Sequence, residues 1–354
     1  MTLGDLGWDD RFAAAFDALG ERGLIPARVG IEHNHFYRVL TSQGERMAQA
    51  AGRLRHHAAG QDELPAVGDW VAVAVGAHDD KATIRAVLPR RSSFSRKAAG
   101  DPTARQVVAA NVDVVLVVAG LDGDFSPRRI ERYLVAAADS GARPVVVLNK
   151  ADLEEHVALR VAEIRKAAPD VPVHPTCCKT GSGLEALAQY LAPGRTMALL
   201  GSSGVGKSTI INGLLGEARQ KTQAVRSADS RGRHTTIHRE LIAAPGGGII
   251  IDTPGMRELQ LWDSDRALED AFAEIEALAA DCRFRDCRHR QEPGCAVRAA
   301  VAAGTLPAIR LTHYLRLEDE RAHLDRRRGE LARLEEKKRT RVMHRAPRKM
   351  STSS

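Results

Sequence analysis

The chain has 354 residues, 44% hydrophobic and 27% charged, a globular composition that excludes a wholly disordered protein and, by length, predicts two or three domains. Aromatic residues are only 4% of the chain, too few for a single-strand nucleic-acid binder built on long stacking platforms. The formal net charge is +7, but residues 321–354 alone carry twelve Lys and Arg against four Asp and Glu, so the remainder is close to neutral and the cationic character belongs to the C-terminal tail.

Residues 1–21 form an N-terminal extension whose first ten residues carry three acids and no base, unlike the charged start of a secretory signal. Residues 22–97 read as short alternating segments: Ile25–Ile31, Phe36–Leu40, Arg53–Arg55, Trp70–Val75 and Thr83–Val87, separated by Gly, Asn and Asp. About five such strands predict a small β-barrel of the OB type, with a β-sandwich as the competing arrangement. After Lys97 the texture changes. The apolar runs Val112–Ala119 and Pro144–Asn149, a short strand Val171–His174 and the strand Thr196–Leu200 alternate with helical stretches at Pro127–Asp139, Glu154–Ala168 and Gly183–Leu191. Buried strands alternating with helices predict a parallel sheet covered on both faces, here over residues 98–263. Residues 264–320 read as mostly helical around a cysteine-rich knot, and a charged helix near Leu311–Lys338 leads into the basic tail, residues 321–354.

Gly201-Ser202-Ser203-Gly204-Val205-Gly206-Lys207-Ser208 follows a strand and opens a helix at Thr209, the context that the G-x-x-x-x-G-K-[ST] phosphate loop requires. Its backbone N–H groups and the positive helix end hold phosphates, Lys207 reaches the β- and γ-phosphates, and Ser208 offers a hydroxyl to Mg²⁺. The base is specified upstream, at Asn149-Lys150-Ala151-Asp152. Asp152 can accept both N–H donors on the Watson–Crick edge of guanine, and the Lys150 stem can lie along the purine face. Thr176-Cys177-Cys178-Lys179 fits a loop whose backbone, at Cys178, touches the guanine carbonyl; the two cysteines read equally well as small buried residues. Asp252-Thr253-Pro254-Gly255 ends an apolar strand, with Asp252 able to hold Mg²⁺ through water and Gly255 to present its N–H to the γ-phosphate. In Gly232-Arg233-His234-Thr235-Thr236 a threonine can meet Mg²⁺, Thr236 being the first choice and Thr235 the second. Met256 stands where many GTPases carry a Gln that orients water, so hydrolysis should be slow or use another group; His234 is either that group or an exposed loop histidine. In familiar small GTPases the phosphate loop precedes Asn-Lys-x-Asp; here it follows. The domain is therefore expected to be circularly permuted, as surface-lying termini allow.

Cys282-x4-Cys287-x-His289-x5-Cys295 places three thiols and one imidazole within fourteen residues. That set predicts a closed tetrahedral site of the structural zinc type, against a cluster of reduced cysteines as the plainer reading. Five cysteines in a chain this long suit a reducing compartment, and no run approaches the ~20 apolar residues of a membrane helix. A cytoplasmic protein is expected. Arg283, Arg285, Arg288 and Arg290 make the knot cationic, and with the tail they point to a phosphate-rich partner, a solubilising role being the alternative for both.

Taken together, Leu64–Trp70, Asn149–Asp152, Gly201–Thr209, Gly232–Thr236, Asp252–Met256 and the ligands Cys282, Cys287, His289 and Cys295 resemble the bacterial ribosome small-subunit-dependent GTPase A family over nearly the whole chain. The resemblance implies an OB barrel, a permuted α/β GTPase core and a mostly helical zinc domain. It also implies a late maturation factor that binds the small ribosomal subunit and its rRNA with GTP, has its hydrolysis stimulated there, and leaves on hydrolysis; a monomer is expected. Cys177-Cys178 stand where relatives often have Ser-Ala or Ser-Ser. The other reading is an RNA-binding chaperone that binds guanine nucleotides and hydrolyses little.

Overall fold

In the computed structural model the described residues are 2–33, 36–58, 60–76, 81–98, 101–123, 125–216, 239–252, 272–308, 310–312, 314, 315, 318, 319, 322 and 326. They fall into two compact units, one drawn from residues before 98 and from 105 to 252, the other from 98–104 and from 272 onward.

The first unit begins with a helix, α1 (Asp10–Asp17), capped by the Asp9 side chain accepting from the Phe12 N–H. Leu6 and Phe12 pack on Trp70 and Leu88, with Trp8 edge-on to Trp70 at 4.6 Å between ring centres. Five strands follow: β1 (Leu24–His33), β2 (Phe36–Thr41), β3 (Gly44–Ala50), β4 (Trp70–Val75) and β5 (Lys81–Val87). They pair in the order β1-β2-β3-β5-β4 and β4 returns to β1, closing the expected five-stranded barrel. All pairings are antiparallel except β3 with β5.

One barrel strand differs from the sequence reading. Arg53–Arg55 is not a strand; it lies in the short helix α2 (Gly52–His57), and the strand is Gly44–Ala50. Its inward residues are Ala48 and Ala50, both buried. Methyl side chains leave almost no alternating apolar signal, whereas Arg-Leu-Arg alternates by chance and instead turns Leu54 onto the barrel core. A second pair of strands, β6 (Ser93–Ala98) and β7 (Asp101–Ala110), pairs only with itself and was not expected.

The sheet beyond the barrel uses β8 (Val114–Gly120), β9 (Arg143–Asn149), β10 (Val173–Pro175), β11 (Thr196–Leu200), β12 (Glu240–Ala243) and β13 (Ile249–Asp252), in the order β10-β9-β8-β11-β13-β12. The first five are parallel and β12 alone runs antiparallel. The core residues of β8, β9 and β11 are buried almost throughout, as strands covered on both faces must be. Helices α3 (Pro127–Ser140), α4 (Val157–Ala167), α5 (Glu185–Ala188) and α6 (Lys207–Leu215) connect them. Pro127 begins α3, and Gly141 at φ +83° ends it. The helical stretch expected over Gly183–Leu191 shortens to the single turn α5.

Barrel and sheet are one continuous surface, because β12 also pairs with β1, Ile31 opposite Glu240. A buried arginine ties them a second time. Arg28 donates Nε to the Gly68 carbonyl (3.2 Å), Nη2 to the Asn111 carbonyl (3.2 Å) and to Thr196 Oγ1 (2.8 Å), and Nη1 to the Leu6 carbonyl. Burial pulls its pKa down to about 10. Four acceptors share one guanidinium, and of these the Gly68 carbonyl keeps a second donor, the Asn111 amide at 3.1 Å, so removing Arg28 strands the other three. Arg28→Met is expected to cost about 2–4 kcal/mol of stability, read as a lower urea midpoint; an unchanged midpoint would show these acceptors find other partners.

The second unit contains the helices Ala273–Ala279 and Ala296–Ala302. Phe272, Ile275, Val297 and Leu306 form buried parts of its interior. Among the described residues no helix is long and apolar enough to cross a membrane.

Candidate functional site

The loop 201–206 leaves the carboxyl end of β11 in the middle of the parallel sheet, where strand ends open a ligand crevice. Two of its glycines are obligatory. A Cβ at Gly201 would collide with the Val118 carbonyl, and one at Gly206, at φ +102°, would collide with the Asn149 amide. Ser203 and Gly204 are exposed at the loop's crest, and Ser208 and Thr209 sit on the first turn of α6. Lys207 folds back over the loop, its Nζ donating to the Gly201 and Ser202 carbonyls at 2.7 Å each.

Asn149 is the joint between the loop and the segment that follows β10. Its Nδ2 donates to the Val205 carbonyl (2.8 Å), while its Oδ1 accepts from the Cys178 N–H (3.2 Å) and the Thr176 hydroxyl (3.3 Å). The Ala151 N–H donates to the Thr176 carbonyl (3.0 Å). Three separate stretches of sequence are thereby fixed around one place. Lys150 adopts φ +63° and its Nζ pairs with Asp122. Among the described residues only Asn111, Lys150 and His289 combine a side chain with positive φ, and two of the three are candidate ligand residues; strained backbone of this kind concentrates at functional sites.

Asp152 is exposed, and its Oδ1 accepts from the buried Cys177 thiol at 3.2 Å. Cys177 is thus a hydrogen-bond donor as well as a buried small residue. Burial pushes the Cys178 thiol up to about 11, so it stays protonated, and its part in the site is made through its backbone N–H. Asp252 ends β13. Burial raises its pKa, Lys207 pulls it down and Glu240 pushes it up. His234, Thr235, Thr236, Gly255 and Met256 lie outside the described residues.

Two residues at the site carried no motif. Asp122 pairs with Lys150, and Arg129 donates to the Ser202 hydroxyl at 3.0 Å. Both follow the carboxyl end of β8, the strand beside β11. Polar residues just beyond a buried parallel strand were the signal that could have found them.

In the second unit Cys282, Cys287, His289 and Cys295 converge, their ligand atoms all within 4.8 Å of one another. Cys282 Sγ lies 3.6 Å from His289 Nδ1 and 3.9 Å from Cys295 Sγ, and His289 Nδ1 lies 3.4 Å from Cys295 Sγ. A tetrahedron with metal–sulfur bonds of about 2.3 Å has edges of about 3.8 Å, so the spacing fits a metal ion. Burial lowers the His289 pKa, favouring the neutral imidazole that a ligand must be. Cys295 caps the helix Ala296–Ala302, its sulfur accepting from the Arg298 N–H at 3.5 Å.

The sequence model of the RsgA GTPase family matches residues 87–262. A small ribosomal subunit biogenesis GTPase RsgA from Opitutus terrae is 52% identical over 336 residues, 92% of each chain. A protein of the same name from Syntrophotalea carbinolica is 44% identical over 328 residues, 90% of each. Among solved structures, YjeQ from Thermotoga maritima superposes with a TM-score of 0.62 at 27% identity, covering 83% of this chain and 97% of that one. YloQ, described as a circularly permuted GTPase, gives 0.60 at 22% identity, covering 86% and 96%, and supports the fold alone. Identity at this level across nine-tenths of both chains, on a sheet whose phosphate loop follows Asn149–Asp152 in the sequence, places the chain in the RsgA GTPase family.

Proposed function

We propose that this chain hydrolyses GTP as a late maturation factor of the small ribosomal subunit, bound to its rRNA with GTP and released on hydrolysis. The observation that carries the reading is Asn149, which ties the phosphate loop at Val205 to the base-side segment at Thr176 and Cys178. One side chain sets the distance between phosphate and base recognition. The partner is taken from the names of relatives that match over nine-tenths of their length.

In this reading Asp152 accepts the guanine N–H donors, the Lys150 stem lies along the purine, and the backbone around Cys178 meets the guanine carbonyl. The N–H groups of 201–206 and Lys207 hold the phosphates; Lys207 exchanges its two carbonyl partners for phosphate oxygens. Ser208, Asp252 and Thr236 fit Mg²⁺ as hard oxygen donors, and that ion, when bound, neutralises charge on the β- and γ-phosphates. Thr235 is the alternative to Thr236. His234 is assigned to orienting the attacking water, in place of the Gln that Met256 replaces, and Gly255 to the γ-phosphate. Cys282, Cys287, His289 and Cys295 fit a structural zinc ion. Arg283, Arg285, Arg288 and the basic tail supply phosphate contacts to rRNA, and the protein works as a cytoplasmic monomer. Met256 favours a second reading, an RNA-binding chaperone that binds guanine nucleotides with little hydrolysis.

GTP turnover with and without purified small subunits, with ATP and large subunits as controls, tests the proposal. Strong stimulation of GTP turnover by small subunits alone is expected. An unchanged rate would remove the small subunit as activator, and a failed single turnover on the subunit would select the chaperone reading.

A further inference from the structure

A row of directly opposed residues runs across five strands from the barrel surface to the nucleotide site. Asp252 on β13 faces Glu240 on β12, Glu240 faces Ile31 on β1, Ile31 faces Arg38 on β2, and Arg38 faces Met47 on β3. Opposed residues in antiparallel strands project their side chains on the same side of the sheet, where like charges repel and opposite charges attract. Glu240 and Asp252 are such a like-charged pair, and Glu240 adds to the upward push on the Asp252 carboxyl that burial begins.

The compensating charge comes from the barrel. Arg38 reaches over Ile31, its Nη2 donating to Glu240 Oε1 at 2.8 Å. Its Nη1 lies 3.5 Å from Glu45, so the guanidinium is steadied from the barrel side. Just before β12, Arg239 pairs with Glu32 of β1 at 3.3 Å. Arg38 thus holds the Glu240 carboxylate from the β2 side, on the sheet face that Glu240 shares with Asp252.

We infer that Arg38 is a positioning residue of the nucleotide site, acting through Glu240 to keep Asp252 available to the magnesium–nucleotide complex. The barrel thus completes the nucleotide site without touching the ligand. Without Arg38, Glu240 loses its ion pair to the barrel, and its charge acts more strongly on Asp252 across the β12–β13 pair. A barrel ligand that recruited Arg38 would loosen nucleotide binding by the same route, and by linkage nucleotide would oppose that ligand equally. The inference rests on the assignment of Asp252 proposed above.

The test follows retention of N-methylanthraniloyl-GDP by the full-length protein as Mg²⁺ is titrated, alongside kcat and KM for GTP. Arg38→Met is expected to raise the Mg²⁺ concentration for half-maximal retention about three- to tenfold. Arg38→Lys should recover most of the loss, and Glu240→Gln in the Arg38→Met background should restore it toward the starting value, because the repelling charge is gone. An Arg38→Met protein with unchanged Mg²⁺ dependence overturns the inference, as does a double variant no better than the single one. Asp252→Asn separates the two readings. If it too leaves Mg²⁺ dependence untouched, the Asp252 assignment itself fails; if it abolishes the dependence while Arg38→Met is silent, only the role of Arg38 fails.

Discussion

Asp152→Asn is expected to lower GTP affinity by about two to four orders of magnitude and to erase the preference over other purine nucleotides. A carboxylate accepts from both guanine donors, and hydrogen bonds to a charged group contribute about 1.5–3 kcal/mol each. The structure also fixes how the replacement amide would sit. The Cys177 thiol donates to Asp152 Oδ1, so an amide at this position would keep its oxygen toward Cys177 and turn its N–H donors to the base. Donors would then meet donors on guanine, whereas the C2 carbonyl of xanthine would find a partner. Competition of GTP, XTP and ATP against a fluorescent guanine nucleotide checks this. Undiminished affinity with GTP still strictly preferred over ATP would remove Asp152 from base recognition.

Cys295→Ala should have the largest effect on the second unit. Structural zinc contributes about 10–16 kcal/mol of apparent binding energy in small zinc-dependent modules, energy that a folded site shares with folding itself. Cys295 is also the cap of the helix Ala296–Ala302, so its loss removes a candidate ligand and a helix start together. The variant is expected to hold far less than one zinc per chain by elemental analysis and to be cut rapidly by trypsin at Arg283, Arg285, Arg288 and Arg298. The first unit should keep its guanine-nucleotide affinity. Wild-type protein purified without chelator and lacking zinc would defeat the zinc assignment, and an intact digestion pattern in the variant would show that the unit folds without the ligand.

The phosphate loop, Asn149–Asp152 and the Cys/His cluster were legible in the sequence for a common reason. Each needs particular residue types at fixed spacing within a short stretch, and the chemistry leaves few substitutes. The buried strands β8, β9 and β11 were legible because double coverage demands unbroken apolar runs. Strand β3 was not, since a barrel interior that takes Ala48 and Ala50 removes the contrast on which alternation depends. Arg28 and Arg38 were beyond reach for another reason. Thr196 lies 168 positions from Arg28, and Glu240 lies 202 positions from Arg38. Nothing local in either stretch announces a partner so distant, and a lone arginine in a strand reads as solvated charge. Asp122 and Arg129 fall between these cases, marked by their place after a buried strand and not by their type.

The pairing of β12 with β1 bears on how the chain behaves in a crowded solution. A strand edge with unpaired N–H and C=O groups is a template on which other chains can stack. Here β12 is occupied on both sides, and the barrel closes on itself through β4 and β1. The sheet ends instead at β10, three residues long and finished by Pro175, which has no N–H to offer. A fragment cut away from its barrel would uncover β12, four residues leading into the buried core, and with it an adhesive seam that the intact chain keeps sealed; the barrel is therefore also what keeps the nucleotide sheet from sticking to its neighbours.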